Sequence, residues 1–431
     1  MDLFFESDSY SSSSDDEEVE LAIIAGEAIL EKLTTERNST PSYGSIRGRI
    51  SKNRNHIEGH KGLFRDYFAD PPSYPANDFR RRFRMNRDLF LRIKDAVVAH
   101  DSYFLQKRNA AGKLGLSSFQ KITAAFRILA FGVTGDLFDE YIRIGESTAT
   151  ESVKRFVKAI VYIFGDEYLR RPNKDDTIRL LAEGKKRGFP GMLGSIDCME
   201  WEWKNCPTRW SGMYTGRSGK PTIKLEAIAS SDTWIWHAFF GLPGSHNEIN
   251  VLERSPLLNE LVDGQATPVN FSINGHDYNK GYYLADGIYP TWATFVKTIP
   301  VPIGLKRQYF AKVHEALRKD VERAFGILQS RFAIIRGPAR YYNQDDLKHI
   351  MTVCVIMHNM IVEDERHMYL NAAHVEYDQD LQSPPNPEIY TTKMDEDKDF
   401  IARHIEMRDS AIHTQLQDDL IEHLWKIYSE S

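Results

Sequence analysis

Cysteine is scarce in this chain: Cys198, Cys206 and Cys354 are the three present in 431 residues. So few, and an odd number, exclude a disulfide framework and make reduced thiols the default. Long apolar runs are also missing. The longest, Ile350 to Ile361, is broken by polar residues and falls short of the roughly 18 apolar residues of a membrane span. The amino terminus, MDLFFESDSYSSSSDDEE, lacks the basic flank and apolar stretch of a secretory signal, so a soluble intracellular protein is expected. What is present is bulk: 42% hydrophobic residues over this length provide for two ordinary domains with real cores and some unstructured margin.

An overall positive charge is lacking too, since the net charge is −6, but the charge is unevenly divided. Residues 1–37 hold eleven acids against two bases, and residues 363–431 hold seventeen against six. Between them, residues 45–113 hold sixteen bases against seven acids, and by difference residues 114–362 carry a net +5. A basic body between two acidic ends can carry a DNA footprint. Its densest run is FRRRFRMNR at Phe79 to Arg87, where Arg80, Arg81, Arg82 and Arg84 are candidate phosphate contacts. A solvated helix face or a nuclear-import signal is the plainer reading of the same run.

Four segments follow. The Ser/Asp/Glu-rich tail (1–44) cannot bury enough apolar surface to offset its ordering entropy and is expected to be disordered, with a short helix possible from Leu21 to Leu33. A basic helical region (45–180) includes Phe119, Ile122, Ala125, Phe126 and Leu129 at helical spacing. A Gly-containing turn follows, then a helix capped by Ser147 or Thr148 with an apolar side of Val153, Phe156, Val157 and Ile160. That is the outline of a helix-turn-helix DNA-binding unit, and equally of an ordinary helical hairpin. An α/β domain (190–365) reads as three antiparallel strands, MLGSIDCMEW, TIKLEAIASS and WIWHAFFGLPG, then a helix from Glu248 to Leu261, a fourth strand ending GYYLADG, and a long helix from Ala311 to Arg331. This element order is that of a ribonuclease-H-like fold. The last segment (366–431) is an acidic linker and helix.

Within the α/β domain, Asp197 is expected at the end of the first strand, Asp286 at the end of the fourth, and Glu322 on the long helix, with 35 residues between it and Asp286. Strand ends and helix would converge there. Three carboxylates bring roughly −3 of charge against the +4 of two divalent cations, which leaves a surplus to bind a phosphodiester. Oxygen donors without a His/Cys set favour Mg2+ or Mn2+ over zinc. On the helix, Val313, Leu317, Val321, Phe325 and Leu328 form the apolar stripe, with Glu322 toward its edge and Glu315, Arg318 and Lys319 on the polar side. Each acid also has a plainer reading: the two aspartates as turn residues, and Glu322 as the i+4 partner of Arg318.

The run from Gly194 to Glu365 resembles the catalytic region of plant PIF/Harbinger (Pong-like) transposases of the DDE superfamily. The motifs are GSIDCMEWEWKNCP, TIKLEAIAS, WIWHAFFGLPGSHNEINVL, GYYLADGIYPTWATFVKTI, RKDVERAFGILQSRFAIIRGPAR and IMHNMIVEDE. The resemblance maps the catalytic and metal-binding triad onto Asp197, Asp286 and Glu322, with two Mg2+ or Mn2+ ions per site. It implies cutting of transposon ends and joining of the freed 3′-hydroxyl to target double-stranded DNA. It also implies a separate Myb-like DNA-binding partner, a homo-oligomer, and a nuclear location with some shuttling to the cytoplasm. One departure is Lys312-Val313-His314-Glu315, where Gln is expected before the glutamate.

Alternatives remain in view. The rival readings are a transposase descendant that serves as a chromatin adaptor without catalysis, and a ribonuclease-H-like nuclease that cuts without joining. Cys198 and Cys206 with His237 or His246 are too widely spaced for a zinc knuckle. His358 reads as a satisfied core histidine. Trp201, Trp203 and Trp210, amid Lys204, Arg209, Arg217 and Lys220, either pack in the core or hold distorted DNA. Lys204, Arg209, Lys220 and Lys319 are the candidate DNA contacts of this domain. The last helix, with Leu416, Leu420, Leu424 and Ile427 at helical spacing, is a partner-binding helix, a nuclear-export signal or a fold-back onto the core.

Overall fold

The computed structural model describes residues 52–108, 112–257, 269–372 and 409–430. The acidic tail, the expected helix at Leu21–Leu33 and most of the acidic linker lie outside them. The chain divides into two compact units, residues 1–159 with 332–337, and residues 160–331 with 338–431.

The first unit is helical: α1 (His56–Tyr67), α2 (Ala76–Phe83), α3 (Arg87–His100), α4 (Ser118–Phe131), a 3-10 turn (Gly135–Phe138) and the start of α5 (Glu146–Tyr168). Ser117 starts α4 with a reciprocal cap: its Oγ accepts from the Gln120 amide at 3.2 Å, and the Gln120 side chain accepts from the Ser117 amide at 3.1 Å. This satisfies two of the helix's unpaired donors. Gly132 ends α4 at φ 67°, a left-handed backbone that glycine adopts without strain. The expected apolar positions Ile122, Ala125, Phe126 and Leu129 are buried, as are Val153, Phe156, Val157 and Ile160 of α5. Helix α5 begins one residue before the expected cap, so Ser147 and Thr148 lie in its first turn.

The Phe79–Arg87 run serves this core as well as the surface. Phe79 and Phe83, one turn apart, are buried and stack at 4.2 Å between ring centroids. The Arg82 guanidinium lies 4.1 Å from the Tyr74 ring centroid, and Arg84 lies 5.4 Å from that of Phe131. Arg80 and Arg81 are exposed.

The second unit holds a mixed α/β core. The elements are α6 (Lys174–Lys186), β1 (Met192–Glu202), α7 (Thr208–Tyr214), β2 (Thr222–Ala229), β3 (Ile235–Pro243), α8 (Glu248–Leu252), β4 (Phe271–Ile273), β5 (His276–Tyr278), β6 (Tyr282–Ala285), β7 (Phe295–Lys297) and α9 (Leu305–Arg331). In the chain they are followed by α10 (Ala333–Arg336), α11 (Gln344–Ala372) and α12 (Ser410–Glu430); α10 itself belongs to the first unit. The sheet order is β3-β2-β1-β6-β7, antiparallel across β3, β2 and β1 and parallel across β1, β6 and β7. The three-strand meander and the fourth strand are as expected, whereas the helix expected over Glu248 to Leu261 starts at Glu248 but ends at Leu252, and residues 258–261 lie outside the described residues. Strand β7 is an addition, too short at three residues for hydrophobic period to reveal it. So is the β4–β5 hairpin, whose Asn274-Gly275 turn has both φ values positive, 52° and 91°. Asn-Gly is the strongest local hairpin signal, and it stood in the sequence.

Helix α12 resolves the three readings of the C-terminal segment in favour of fold-back. Leu416, Leu420 and Leu424 are buried with Phe189, Met192, Tyr282, Leu284, Val296 and Phe310, while Ile427 remains exposed. Asp419 fastens the helix to the hairpin through His276 at 2.8 Å and the Tyr278 hydroxyl at 2.6 Å. A second apolar cluster joins Ile196, Ile228, Leu252, Leu257, Ala285, Tyr289 and Phe295. Among the described residues no helix is long and apolar enough to cross a membrane.

Candidate active site

Asp197 lies in the middle of β1 rather than at its end, because β1 continues to Glu202 against β2. Its pairing with β6, however, stops at Ser195↔Leu284. Parallel strands advance together, so two residues beyond that pair Asp197 comes level with Asp286, where β6 has ended and β1 keeps only β2 as a neighbour. Gly194 permits the close packing just before: a Cβ there would lie 2.6 Å from the Ala229 carbonyl oxygen. Asp286 turns the chain at the end of β6, its Oδ1 accepting from the Ile288 amide at 2.9 Å.

Helix α9 brings the third acid. The Val321 amide donates to Ser195 Oγ at 3.1 Å, and the buried Asp320 accepts from Arg187 at 2.5 and 3.2 Å and from Arg323 at 2.8 Å. These anchors hold the helix over β1 and set Glu322 beside Asp197. Arg318, one turn earlier, bridges them. Its guanidinium donates to Asp197 Oδ2 at 3.3 Å and Glu315 Oε2 at 3.3 Å, and pairs with Glu322 Oε1 at 2.9 Å. The i+4 ion pair therefore exists, and the same arginine joins the helix to the strand aspartate.

The field at this point is crowded with negative charge. Burial pushes the Asp197 carboxyl above its ordinary range, and the charges of Asp286 and Glu322 add to that; the Cys198 amide and Arg318 oppose it. A fourth acid, Glu248 at the start of α8, faces the same place. Burial, then Asp286 and Asp197, push it up to about 7 against the pull of Lys224 and Arg217. Lys297, at the end of β7, also faces Asp286.

The donor chemistry fits a hard divalent cation: carboxylate oxygens that repel one another and carry too little compensating charge. Among the described residues no three His, Cys, Asp or Glu side chains converge on one ligating point. The reason is visible in the contacts, since Arg318 holds Asp197 and Glu322 and the Ile288 amide holds Asp286. No zinc set forms around Cys198 and Cys206 either.

The remaining candidates separate by burial. Trp201 and Trp203 are core residues, the latter donating to the Tyr341 carbonyl at 2.8 Å, so they do not face DNA; Trp210 is half-buried, with the Arg209 guanidinium 4.7 Å from its ring centroid. Lys204, Arg209, Lys220 and Lys319 are exposed, Lys220 pairing with Glu202 at 3.0 Å. His358 is a satisfied core histidine: Nε2 lies 2.8 Å from the Thr233 carbonyl, and burial lowers it to about 3. Sequence reasoning missed Glu248, Ser195 and Asp320. A polar residue at an expected helix start is ordinarily read as part of the cap, and nothing local marks the other two as anchors.

Residues 166–369 match the family of plant transposon proteins, and residues 59–98 match a domain of unknown function. Protein ALP1-like of Arabidopsis thaliana is 24% identical over 293 residues, 67% of this chain and 71% of that protein. The protein named "Putative nuclease HARBI1" of Homo sapiens is 21% identical over 252 residues, 58% of this chain and 68% of that protein; its Bos taurus counterpart is also 21% identical over 252 residues. No solved structure matches. The chain carries a plant transposon protein domain and is a homologue of these nuclease-named and ALP1-like proteins, as the resemblance to the PIF/Harbinger transposases implied.

Proposed function

We propose that the second unit is a ribonuclease-H-like DDE catalytic domain that cuts DNA at transposon ends and joins the freed 3′-hydroxyl to target DNA. The observation that carries this reading is the parallel β1–β6 register, which ends at Ser195↔Leu284 and so brings Asp197 of β1 toward Asp286 just past β6, with Glu322 tied to Asp197 through Arg318. Asp197, Asp286 and Glu322 would hold divalent cations, Mg2+ or Mn2+, which when bound activate water or a 3′-hydroxyl and stabilise the leaving oxygen. Arg318, held between Asp197 and Glu322, would supply a cation of fixed charge to the phosphodiester. Asp320, Arg187 and Ser195 keep the helix in register, and Lys204, Arg209, Lys220 and Lys319 offer exposed cations to the DNA backbone. The exposed Arg80 and Arg81, with the helical hairpin of the first unit, supply further contacts. A Myb-like partner, a nuclear location and oligomerisation complete the proposal. The partner does not dock on Leu416, Leu420 and Leu424, which are in the core.

The test is cleavage of duplex DNA carrying the inverted repeats that flank the gene, with Mg2+ and any required partner present. Asp197→Asn, Asp286→Asn and Glu322→Gln should each lower cutting at least about 10³-fold while DNA binding persists, and double variants should be scarcely worse than single ones. A folded variant that still cuts removes its residue from the site. Cutting without strand transfer would make the protein a nuclease alone, and DNA binding without any cutting by the wild type would make it an adaptor.

A further inference from the structure

We propose that the far end of β1 and β2 is a DNA-backbone surface, on which Lys204, Arg209, Arg217 and Tyr342 hold the duplex to one side of the cut; the proposal rests on the reading of Asp197, Asp286 and Glu322 as the place of cutting. Strand β6 stops at Ala285, whereas β1 runs on to Glu202, still paired there with Thr222 of β2. Glu202 is five residues beyond Asp197, so at about 3.4 Å per residue the end of β1 stands roughly 17 Å from the carboxylates. Along a duplex, at about 3.4 Å per step, that span corresponds to about five base pairs.

Two segments far apart in the chain meet at this end. Trp203 to Leu225 holds five bases and no acid, and Pro338 to Gln344 holds Arg340 and no acid. They are joined backbone to backbone: the Ala339 amide donates to the Glu202 carbonyl at 2.7 Å, and the Asn205 amide to the Ala339 carbonyl at 3.4 Å. Side chains complete the joint. Trp203 Nε1 donates to the Tyr341 carbonyl at 2.8 Å, Asn205 Nδ2 to the Arg340 carbonyl at 2.5 Å, and Gln344 Nε2 to the Tyr214 hydroxyl and the Gly241 carbonyl, each at 2.9 Å. This joint fixes the side chains that face outward. Lys204, Arg209 and Arg217 are exposed, and Tyr342 is 71% exposed. Lys220 pairs with Glu202 at 3.0 Å and Lys224 with Glu200 at 3.3 Å, so the charge offered to a partner is that of the first three. The next acids along the chain, Asp345 and Asp346, lie in the first turn of α11, where they complement the helix dipole. Cations and a phenolic hydroxyl on a fixed backbone suit the phosphates and sugars of DNA, whose contacts set register and carry no base sequence.

The test is fluorescence anisotropy of a labelled duplex carrying the flanking inverted repeat, titrated with the full chain in chelator over a range of salt, which reads contacts without any cutting. The triple variant Lys204→Ala, Arg209→Ala, Arg217→Ala should lower the slope of log K against log salt by about two to three units, at about 0.9 per lost phosphate contact. Tyr342→Phe should weaken binding about two- to tenfold with the slope unchanged, because a neutral donor displaces no counterion. Arg209→Lys with Arg217→Lys keeps both charges and should keep the wild-type slope, which separates charge from the packing of Arg209 on Trp210. Ethylation interference on the same duplex should place the phosphates that the triple variant no longer uses about five base pairs from the cut. An unchanged slope in the triple variant, with the wild type binding the duplex, would overturn this surface and leave the cutting site standing. Phosphates lost more than about one helical turn, some 10 base pairs, from the cut would overturn its placement beside the carboxylates. A slope lowered equally by the lysine variant would make Arg209 and Arg217 packing residues and overturn the inference. Normal cutting by Asp197→Asn would overturn the site on which the placement rests, whatever the slope.

Discussion

Asp232 and Asp197 belong to the same unit and are both largely buried, with side chains 27% and 16% exposed, yet their surroundings treat charge in opposite ways. Asp232 receives Arg179 and Arg366, each at 2.9 Å, together with the Ser230 hydroxyl and the Trp234 amide. These donors outweigh its burial and hold the carboxyl below its ordinary range. Asp197 shares its one guanidinium with Glu315 and Glu322 and stands in the fields of Asp286 and Glu322, so its carboxyl is raised. Asp320, bound by Arg187 and Arg323, belongs with Asp232. Acids that hold the fold together are supplied with cations to match, whereas those where β1 and β6 part are undersupplied, and an undersupplied buried acid marks a place where something else binds.

Removing Asp320 should produce the largest stability change in this comparison. Asp320→Ala leaves Arg187 and Arg323 without their buried partner and should cost about 3–5 kcal/mol in urea denaturation. A loss below about 1 kcal/mol would mean that α9 is held by other contacts. Next, at pH 7 in chelator, Asp232→Asn should destabilise by about 1–3 kcal/mol while Asp197→Asn leaves Tm unchanged or higher. The signs follow from the pKa directions. Asp232, lowered in the folded state, contributes stability above the ordinary Asp value of about 4, and this is lost as pH falls through its lowered value. Asp197, raised in the folded state, carries a penalty above its raised value that disappears as pH falls toward the ordinary range. Tm measured from about pH 2 to 7 on both variants checks the contrast, and parallel profiles would erase it.

The smallest effects concern the arginine run of the first unit. Arg80→Ala with Arg81→Ala should reduce the salt slope of DNA binding by up to about two units and change stability by no more than about 0.5 kcal/mol. Arg82→Ala with Arg84→Ala should instead cost about 1–2 kcal/mol of stability through the lost contacts with Tyr74 and Phe131. Equal effects of the two pairs on the salt slope would show that the packed arginines also reach phosphate.

Much of this is legible in the sequence. The periodicities of α4, α5 and α9 predicted faces that are buried, and the three antiparallel strands fall on the expected segments, because hydrophobic alternation is a local property. Asp286 at a strand terminus and Glu322 on a long helix were likewise readable. The charge of FRRRFRMNR conceals a buried side that Phe79 and Phe83, at i and i+4, announce. Strand β7 leaves no local signal, and Asp197 falls within β1 and not at its end because β1 serves two neighbours that end at different points.

The sequence by itself determined the elements, the charge division along the chain and the kinship with transposon proteins, because propensity, period and motif are carried by neighbouring residues. The tertiary structure decided which buried acids receive arginines and which do not, and that the C-terminal helix closes the core. Those outcomes depend on strand register and helix docking between residues far apart in the chain, and on the loss of solvent around a charge, which sequence spacing does not encode.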